Sequence, residues 1–447
     1  MERDLTQGSS WKKLLIFSIP LFIGNLFQQF YNIVDSIVVG NFIGEEALAA
    51  VGTSGILMNM ISSAGLGLAT GASIIIAQFY GAKNYQSTNK AIYTSILTFV
   101  GIGLIATIVG WLIMNPMLEL LNTPDNIISY ITSYLFIIFL GIVFVLLFQT
   151  LSMISVALGD SKAPMYMLFI ASIINIVLDL VFTLVFHMGV SGVALATIIG
   201  QGFAAIACYI RIRKFMDYKA LDEEKYKFDN HVFKKIITLG TPAVIQNLIS
   251  SSGLLAIQGL LNGFGSTTVA AYTAANKIDG IAMTPMVSLG TAISTFTAQN
   301  IGANKSERIK DGFRFVNIFA LGICIITGII IYLFGANLLG LFIDGTISSE
   351  LIDIGVEYLR IAVFSYVIMA FMFTSTGVLR GAGDVKSVFI CSCLDLGGRT
   401  LFAYAMVNHM GRFALWLAYP FGWIVACLLS YTIYFSGKWN NKKIIES

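Results

Sequence analysis

The chain has 447 residues, 57% of them hydrophobic and 11% charged, with a formal net charge of +3. Soluble domains carry about 25% charged residues, so a water-soluble globular protein is excluded and a polytopic membrane protein is what remains. Barrel strands would alternate polar and apolar residues; these runs do not, and with only seven prolines in the chain long helices are the default.

Taken from the N-terminus, runs of about 20 apolar residues, the length that crosses a bilayer as a helix, predict spans near 14–39, 48–79, 92–114, 129–151, 164–186 and 190–210. A charged segment at 211–235 follows, and six further spans lie near 236–261, 270–299, 315–339, 354–378, 388–407 and 413–435. The expected class is an all-α polytopic membrane protein. It has about twelve transmembrane helices in two pseudo-symmetric six-helix lobes: an N-lobe at 1–210, a cytoplasmic linker at 211–235 and a C-lobe at 236–447. The first run is too long for a cleaved signal peptide, and no A-x-A-like site follows it. Loops alternate in sign. Lys12 and Lys13, Lys83 and Lys90, Lys162, the basic linker, Lys305, Arg308 and Lys310, Arg380 and Lys386, and Lys438, Lys442 and Lys443 fall on one side. The opposite loops hold Glu45, Glu46, Glu119, Asp125, Asp344, Glu350 and Asp353, with Arg412 as their base. The positive-inside rule then puts both termini and the linker in the cytoplasm. Insertion topology accounts for the basic loops, so no nucleic-acid partner is expected. The five cysteines all lie in apolar runs and lack zinc-finger or disulfide spacing, which reads as inert packing. The three histidines fall at or outside helix ends, so neither a metal cluster nor a nucleophile–base pair marks an enzyme.

The second half repeats the first. Ile19-Pro20 with Asn25 matches Thr241-Pro242 with Asn247, and Ala77–Ala82 matches Ala298–Ala303. Tyr134-Leu135 matches Tyr358-Leu359, Gly159-Asp160 matches Gly383-Asp384, and His187–Gly189 matches His409–Gly411, always at an offset near 222. An even number of spans per half makes the repeat parallel, an arrangement used by transporters with two similar lobes and a cleft between them. The repeat fails at Asp35, which falls opposite Ala256 or Ile257, at Asp179, opposite 401–403, and at Thr197, opposite Tyr419. Shared residues are thus expected to build the fold, and unshared polar ones are candidates for function.

Asp35 ends the apolar run from Leu14, and Asp179 lies inside the run 164–186. A carboxylate deep in a spanning helix costs about 2.5–3.5 kcal/mol on the mild insertion scale, so each must face a cavity, a partner or an ion. Asn175 precedes Asp179 by one turn on the same face. Asn25, Gln28 or Gln29, Asn32, Asp35 and Ser36 form a polar stripe on helix one. Ser172, Asn175, Asp179 and Thr183 form one on helix five, and Thr197 and Gln201 lie on helix six. Two carboxylates, an amide oxygen and a hydroxyl suit a hard cation such as Na⁺; two close carboxylates equally suit a shared proton. The bland alternatives are a helix-end position for Asp35, a hydrogen-bond anchor for Asp179 and ordinary packing for Thr197. Substrate-cavity candidates are Gln28, Asn32, Gln201, Asn247, Gln258 and Asn276, with Met283, Met286, Tyr366 and Met369 as the apolar part. Asp395 and Arg399, four residues apart, read as an intrahelical ion pair; Lys277 and Asp279 carry no assignment; Gly67-x-x-x-Gly71 reads as helix packing.

The first helix with Pro20, Gln28-Gln29 and Asp35, the Ala-Gln-x-x-Gly-Ala elements at 77–82 and 298–303, and the loops Leu158–Asp160 and Arg380–Asp384 occur in one order along the chain. In these the chain resembles the multidrug and toxic compound extrusion (MATE) family over its full length, and 271–279 with 295–300 resembles its DinF-like branch from Firmicutes-type bacteria. The resemblance implies a MATE/MOP-type fold and a monomer in the bacterial plasma membrane. It implies secondary active efflux of organic, mainly cationic small molecules in exchange for Na⁺ or H⁺, with no other cofactor. It also implies a cation site, able to hold Na⁺, at Asp35, Asn175, Asp179 and Thr197, and a bend of helix one at Pro20, although Pro242 at the repeat-equivalent place fits simple kink geometry. Some members use acids in helices seven and ten; here those helices carry Gln246, Asn247 and Gln258, and no acid lies within 363–378. A lipid-linked saccharide flippase of the same fold is the alternative.

Overall fold

In the computed structural model the described residues are 4–120, 123–219, 226–341 and 349–444, with a few helical side chains, Asn32 and Ser36 among them, outside the description. Twelve long helices follow one another: α1 Ser10–Phe42, α2 Glu45–Gly81, α3 Tyr85–Leu120, α4 Asp125–Ala157, α5 Lys162–Leu180, α6 Gly189–Lys219, α7 Asn230–Asn262, α8 Ser266–Gly302, α9 Ser306–Gly340, α10 Ser349–Ala382, α11 Val385–Met410 and α12 Phe413–Phe435. A π turn, Val181–Val185, extends α5. Among the described residues there is no strand. Most helices outrun the apolar runs that predict them. At 1.5 Å per residue the 37-residue α2 is about 56 Å long against a hydrocarbon core of about 30 Å, and its surplus carries Glu45 and Glu46 in the first turn. Among the described residues eleven helices are long and apolar enough to cross a bilayer; α7, with Thr238, Thr241, Gln246, Asn247, Ser250 and Gln258, is diluted by polar side chains.

The chain groups into two compact units. One holds Ile23–Val244, the other Leu5–Phe22 with Ile245–Ser447. The divisions fall inside α1 and α7, two residues beyond Pro20 and two beyond Pro242, rather than in the charged segment. Close packing explains the membership. In unit 1, a Cβ on Gly71 would stand 2.8 Å from the Gly240 nitrogen and the Ile236 oxygen, and one on Gly67 2.7 Å from the Val244 nitrogen. These glycines let the first half of α7 lie backbone to backbone on α2, the packing role expected of Gly67 and Gly71. In unit 2 the first residues are sewn onto the turn between α8 and α9. The Leu5 N–H donates to Gln299 Oε1 at 3.0 Å, Lys305 Nζ donates to the Thr6 carbonyl at 2.8 Å, and Arg308 donates to the Gly8 carbonyl at 2.7 Å.

Within each unit one central helix gathers its neighbours around the interior. In unit 1, α4 packs on α2 and α6, with Ile131, Leu135, Ile138, Val193 and Ala194 buried between them. In unit 2, α10 packs on α8, α9 and α12. The outward faces are apolar: Leu104, Ile105, Ile108 and Leu112 of α3 are exposed at helical spacing, as are Ile325, Ile326, Ile329 and Leu333 of α9. Repeat-matched motifs build matching turns. Lys83 and Asn304, each closing an Ala-Gln-x-x-Gly-Ala element, both have positive φ, at 58° and 57°. Asn84 N–H donates to the Phe79 carbonyl, and Lys305 N–H to the Asn300 carbonyl. Gly159 and Gly383 sit at φ 80° and 91°, where a side chain would be strained.

Candidate functional site

The polar interruptions of unit 1 converge. Asn175 and Asp179 lie one turn apart at the end of α5 and are 2% and 0% exposed. The π turn begins two residues later, and Thr183 within it is also buried. A π turn breaks the regular helical ladder and is frequent at functional sites. Asp35, half-buried on α1, is the immediate electrostatic neighbour of Asp179. Asn175 Nδ2 points to Thr197 Oγ1 of α6 at 3.5 Å. Gly200 makes this approach possible: its missing Cβ would stand 3.3 Å from the Asn175 Cβ. Tyr31, Ser172, Asn175, Thr197, Gly200 and Gln201 line a cavity of about 10 Å³, room for about one water molecule.

The oxygens carry the chemical information. Asp35 Oδ1, Asn175 Oδ1, both carboxylate oxygens of Asp179 and Thr183 Oγ1 are buried without a hydrogen-bond partner. The large majority of buried side-chain polar atoms are paired, and leaving one unmade costs about 1–3 kcal/mol. Acceptors left over around two facing carboxyls form a place for a positive charge. The donor set, two carboxylates, an amide oxygen and hydroxyls, is all oxygen and fits Na⁺; the facing carboxyl pair fits a proton equally.

Two residues at this site escape the sequence reading. Tyr31 of α1 lines the cavity and faces Thr197, and Tyr134 of α4, 7% exposed, is an electrostatic neighbour of both aspartates. Tyr31 precedes Asp35 by four residues, and that spacing is its signal. Tyr134 had one too, but its match to Tyr358 assigns it to the scaffold.

The cavity candidates fall in both units. Gln201 lines the unit 1 cavity and Gln28 is half-buried on α1; the side chain of Asn32 lies outside the described residues. In unit 2, Asn247 and Met283 are half-buried, Gln258 donates to Asn262 Oδ1 at 2.9 Å, and Asn276 is exposed. Met286 is buried against Cys324, Met369 is buried, and Tyr366 is buried with its hydroxyl on Asp279. Asp395 and Arg399 form the ion pair their spacing predicts, at 2.5 Å, with the guanidinium 4.8 Å from the Tyr419 ring centre. α1 continues as helix through Pro20.

The MatE family profile matches residues 20–181 and 242–405. Probable multidrug resistance protein YoeA of Bacillus subtilis (strain 168) is 30% identical over 98% of this chain and 96% of its own length. Probable multidrug resistance protein YpnP of the same organism is 28% identical over 99% and 98%. Among solved structures, an outward-facing multidrug resistance MATE family transporter of the MOP superfamily has the same fold, with a TM-score of 0.89 at 22% identity, covering 98% of both chains. With both repeats matched by the profile and a relative aligned almost end to end, the chain belongs to the MatE family.

Proposed function

We propose that the protein is a secondary active multidrug efflux antiporter, exporting organic, mainly cationic compounds in exchange for H⁺ or Na⁺. Members of the family are transporters, and relatives named for multidrug resistance align over nearly the whole chain. The observation that carries the exchange is the set of unpartnered oxygens around Asp35 and Asp179. In this reading the two carboxylates bind the coupling cation, and Asn175 and Thr197 add neutral oxygens and fix the spacing of α5 and α6. Loading neutralises charge that is costly inside a membrane. Antiport then needs only that cation and drug favour different states of the protein. The reading places a monomer in a bacterial plasma membrane with both termini cytoplasmic.

The test is ethidium efflux from proteoliposomes under an imposed Na⁺ gradient, then under an imposed pH gradient. The wild type is compared with Asp35→Asn and Asp179→Asn. Efflux driven by one gradient and lost in both variants at normal expression is the expected result and identifies the ion. Full efflux in both variants refutes the site. Wild type inactive under either gradient refutes multidrug antiport and favours a lipid-linked substrate.

A further inference from the structure

Among the described residues of unit 2, three helical acids are drawn inward, and they are partnered differently. Glu357 of α10 accepts two hydrogen bonds from Arg412, at 3.0 and 2.8 Å, and one from Trp416 Nε1 at 2.8 Å. Asp395 of α11 accepts from Arg399 at 2.5–3.2 Å. Asp279 of α8 is the most deeply placed, 1% exposed and thirteen residues, about 20 Å, from the helix start at Ser266. It accepts from the Tyr358 hydroxyl at one carboxylate oxygen and from the Tyr366 hydroxyl at the other. Among the described residues no basic side chain contacts it.

Two phenols satisfy the hydrogen bonding of this carboxylate without cancelling its charge. The arrangement fits an acid that exchanges a charge. Asp395 and Glu357, each held by an arginine, fit permanent anions. The groups facing the site are Tyr358 and Tyr366 from α10 and Tyr272 from α8 itself. Tyr419 of α12 is hydrogen-bonded to Tyr272 at 2.8 Å, and Cys324 of α9 lies beside Met286 and near Tyr366. Arg399 is paired with Asp395 and stands over the Tyr419 ring.

We propose that Asp279, held between Tyr358 and Tyr366, is a proton-exchange site of unit 2, separate from the pair Asp35 and Asp179. The ligand class follows from the lone pairs. A metal ion needs several acceptors converging on it, and among the described residues no cluster of acids or other metal-binding side chains surrounds Asp279, whose two oxygens each already take a phenol O–H. A proton needs less. It adds to one Asp279 oxygen, that carboxyl O–H then donates to a phenol oxygen, and the phenol turns its own O–H away. No bond other than hydrogen bonds breaks, and the site passes from charge −1 to 0. The sequence repeat gives no counterpart: Met58 stands where Asp279 would recur, while Tyr134 does recur as Tyr358.

The experiment is pH-difference infrared spectroscopy on the purified full-length protein, with no substrate present. Acidification is expected to produce a protonated-carboxyl C=O band that is absent in Asp279→Asn and kept in the double variant Asp35→Asn, Asp179→Asn. Tyr358→Phe and Tyr366→Phe are expected to keep the band and shift its frequency, since each removes one hydrogen-bond partner of that carboxyl. Identical carboxyl difference spectra for wild type and Asp279→Asn would make Asp279 a fixed anchor and overturn the proposal. Should Asp279→Asn fail to fold, the tyrosine variants decide: a band they leave unmoved overturns it. Transport is not the readout, so loss of the efflux reading would leave this result standing.

Discussion

Replacing Gly200 by alanine tests whether the spacing of α5 and α6 sets cation binding. The new Cβ would stand 3.1 Å from the Ala171 carbonyl oxygen and 3.3 Å from the Asn175 Cβ, inside the roughly 3.5–4.0 Å of an optimal contact between carbons. The first neighbour is backbone and cannot rotate aside, so α5 must retreat by a few tenths of an ångström. The contact from Asn175 to Thr197, already 3.5 Å, then passes out of hydrogen-bonding range. One extra methyl in a packed site costs about 1–3 kcal/mol. Glycine to alanine inside a helix returns about 0.5–1 kcal/mol, so global stability changes little while the site takes the strain. About 1 kcal/mol of strain on cation binding is roughly a fivefold loss of affinity. The assay is efflux in proteoliposomes against coupling-cation concentration, beside thermal unfolding. The half-saturating cation concentration should rise about fivefold at nearly constant melting temperature. Gly202→Ala is the control: on the same helix, its Cβ would meet only the Phe144 ring at 3.7–3.9 Å, so it should leave the half-saturating cation concentration unchanged and raise the melting temperature slightly. Wild-type cation dependence in Gly200→Ala, or an equal shift in Gly202→Ala, would refute the reasoning.

Other expectations rest on single contacts. Gly71→Leu should abolish folded, monodisperse protein on size-exclusion chromatography, because even a Cβ there meets α7 backbone at 2.8 Å; a monodisperse variant would show that α2 and the first half of α7 are not packed this way. Glu357→Ala should lower thermal stability more than Arg412→Ala does. The first strands the Trp416 N–H, a loss of about 1–3 kcal/mol, whereas the second removes one side of a partly exposed pair worth about 1 kcal/mol or less. Equal losses would count against the Trp416 bond. The Glu357 hydrogen bond pushes the Arg412 guanidinium further above its ordinary value. A raised group contributes its stability below its unfolded value and loses it only as pH climbs through the folded one. For an arginine that window lies above working pH, so the Arg412→Ala difference should be flat across the neutral range.

Much of this was legible because a membrane protein writes its exceptions in polar letters. Asp35, Asn175, Asp179 and Thr197 stand out from apolar runs, and the structure brings them together on three helices of one unit. Turn motifs shared by the halves close equivalent turns, as Lys83 and Asn304 show. What the sequence hid has physical causes. The division of α1 and α7 between units follows backbone contacts at Gly67, Gly71 and Gly240, and no change of composition marks it. α10 packs on three helices, so its apolar pattern does not say which way Tyr366 and Met369 turn, and both end up buried. Tyrosine in an apolar run reads as core until an acid is found beside it.

That last failure qualifies the rule that shared residues build the fold and unshared ones work. Tyr134 and Tyr358 are repeat partners, and each lies beside buried acid: Tyr134 near Asp35 and Asp179, Tyr358 on Asp279. The acids are not repeat partners; they come from α1 and α5 in one unit and from α8 in the other. Each half thus keeps a phenol at the same place on its central helix, while carboxylates have entered from different directions. The hydrogen-bond balance differs accordingly. In unit 1 the oxygens outnumber their donors, which favours an added cation; in unit 2 the donors match the oxygens, and only the charge is left over. A shared residue can therefore be functional when its chemistry serves more than one partner. A phenol does so because its O–H donates to a carboxylate and its oxygen accepts from a carboxylic acid.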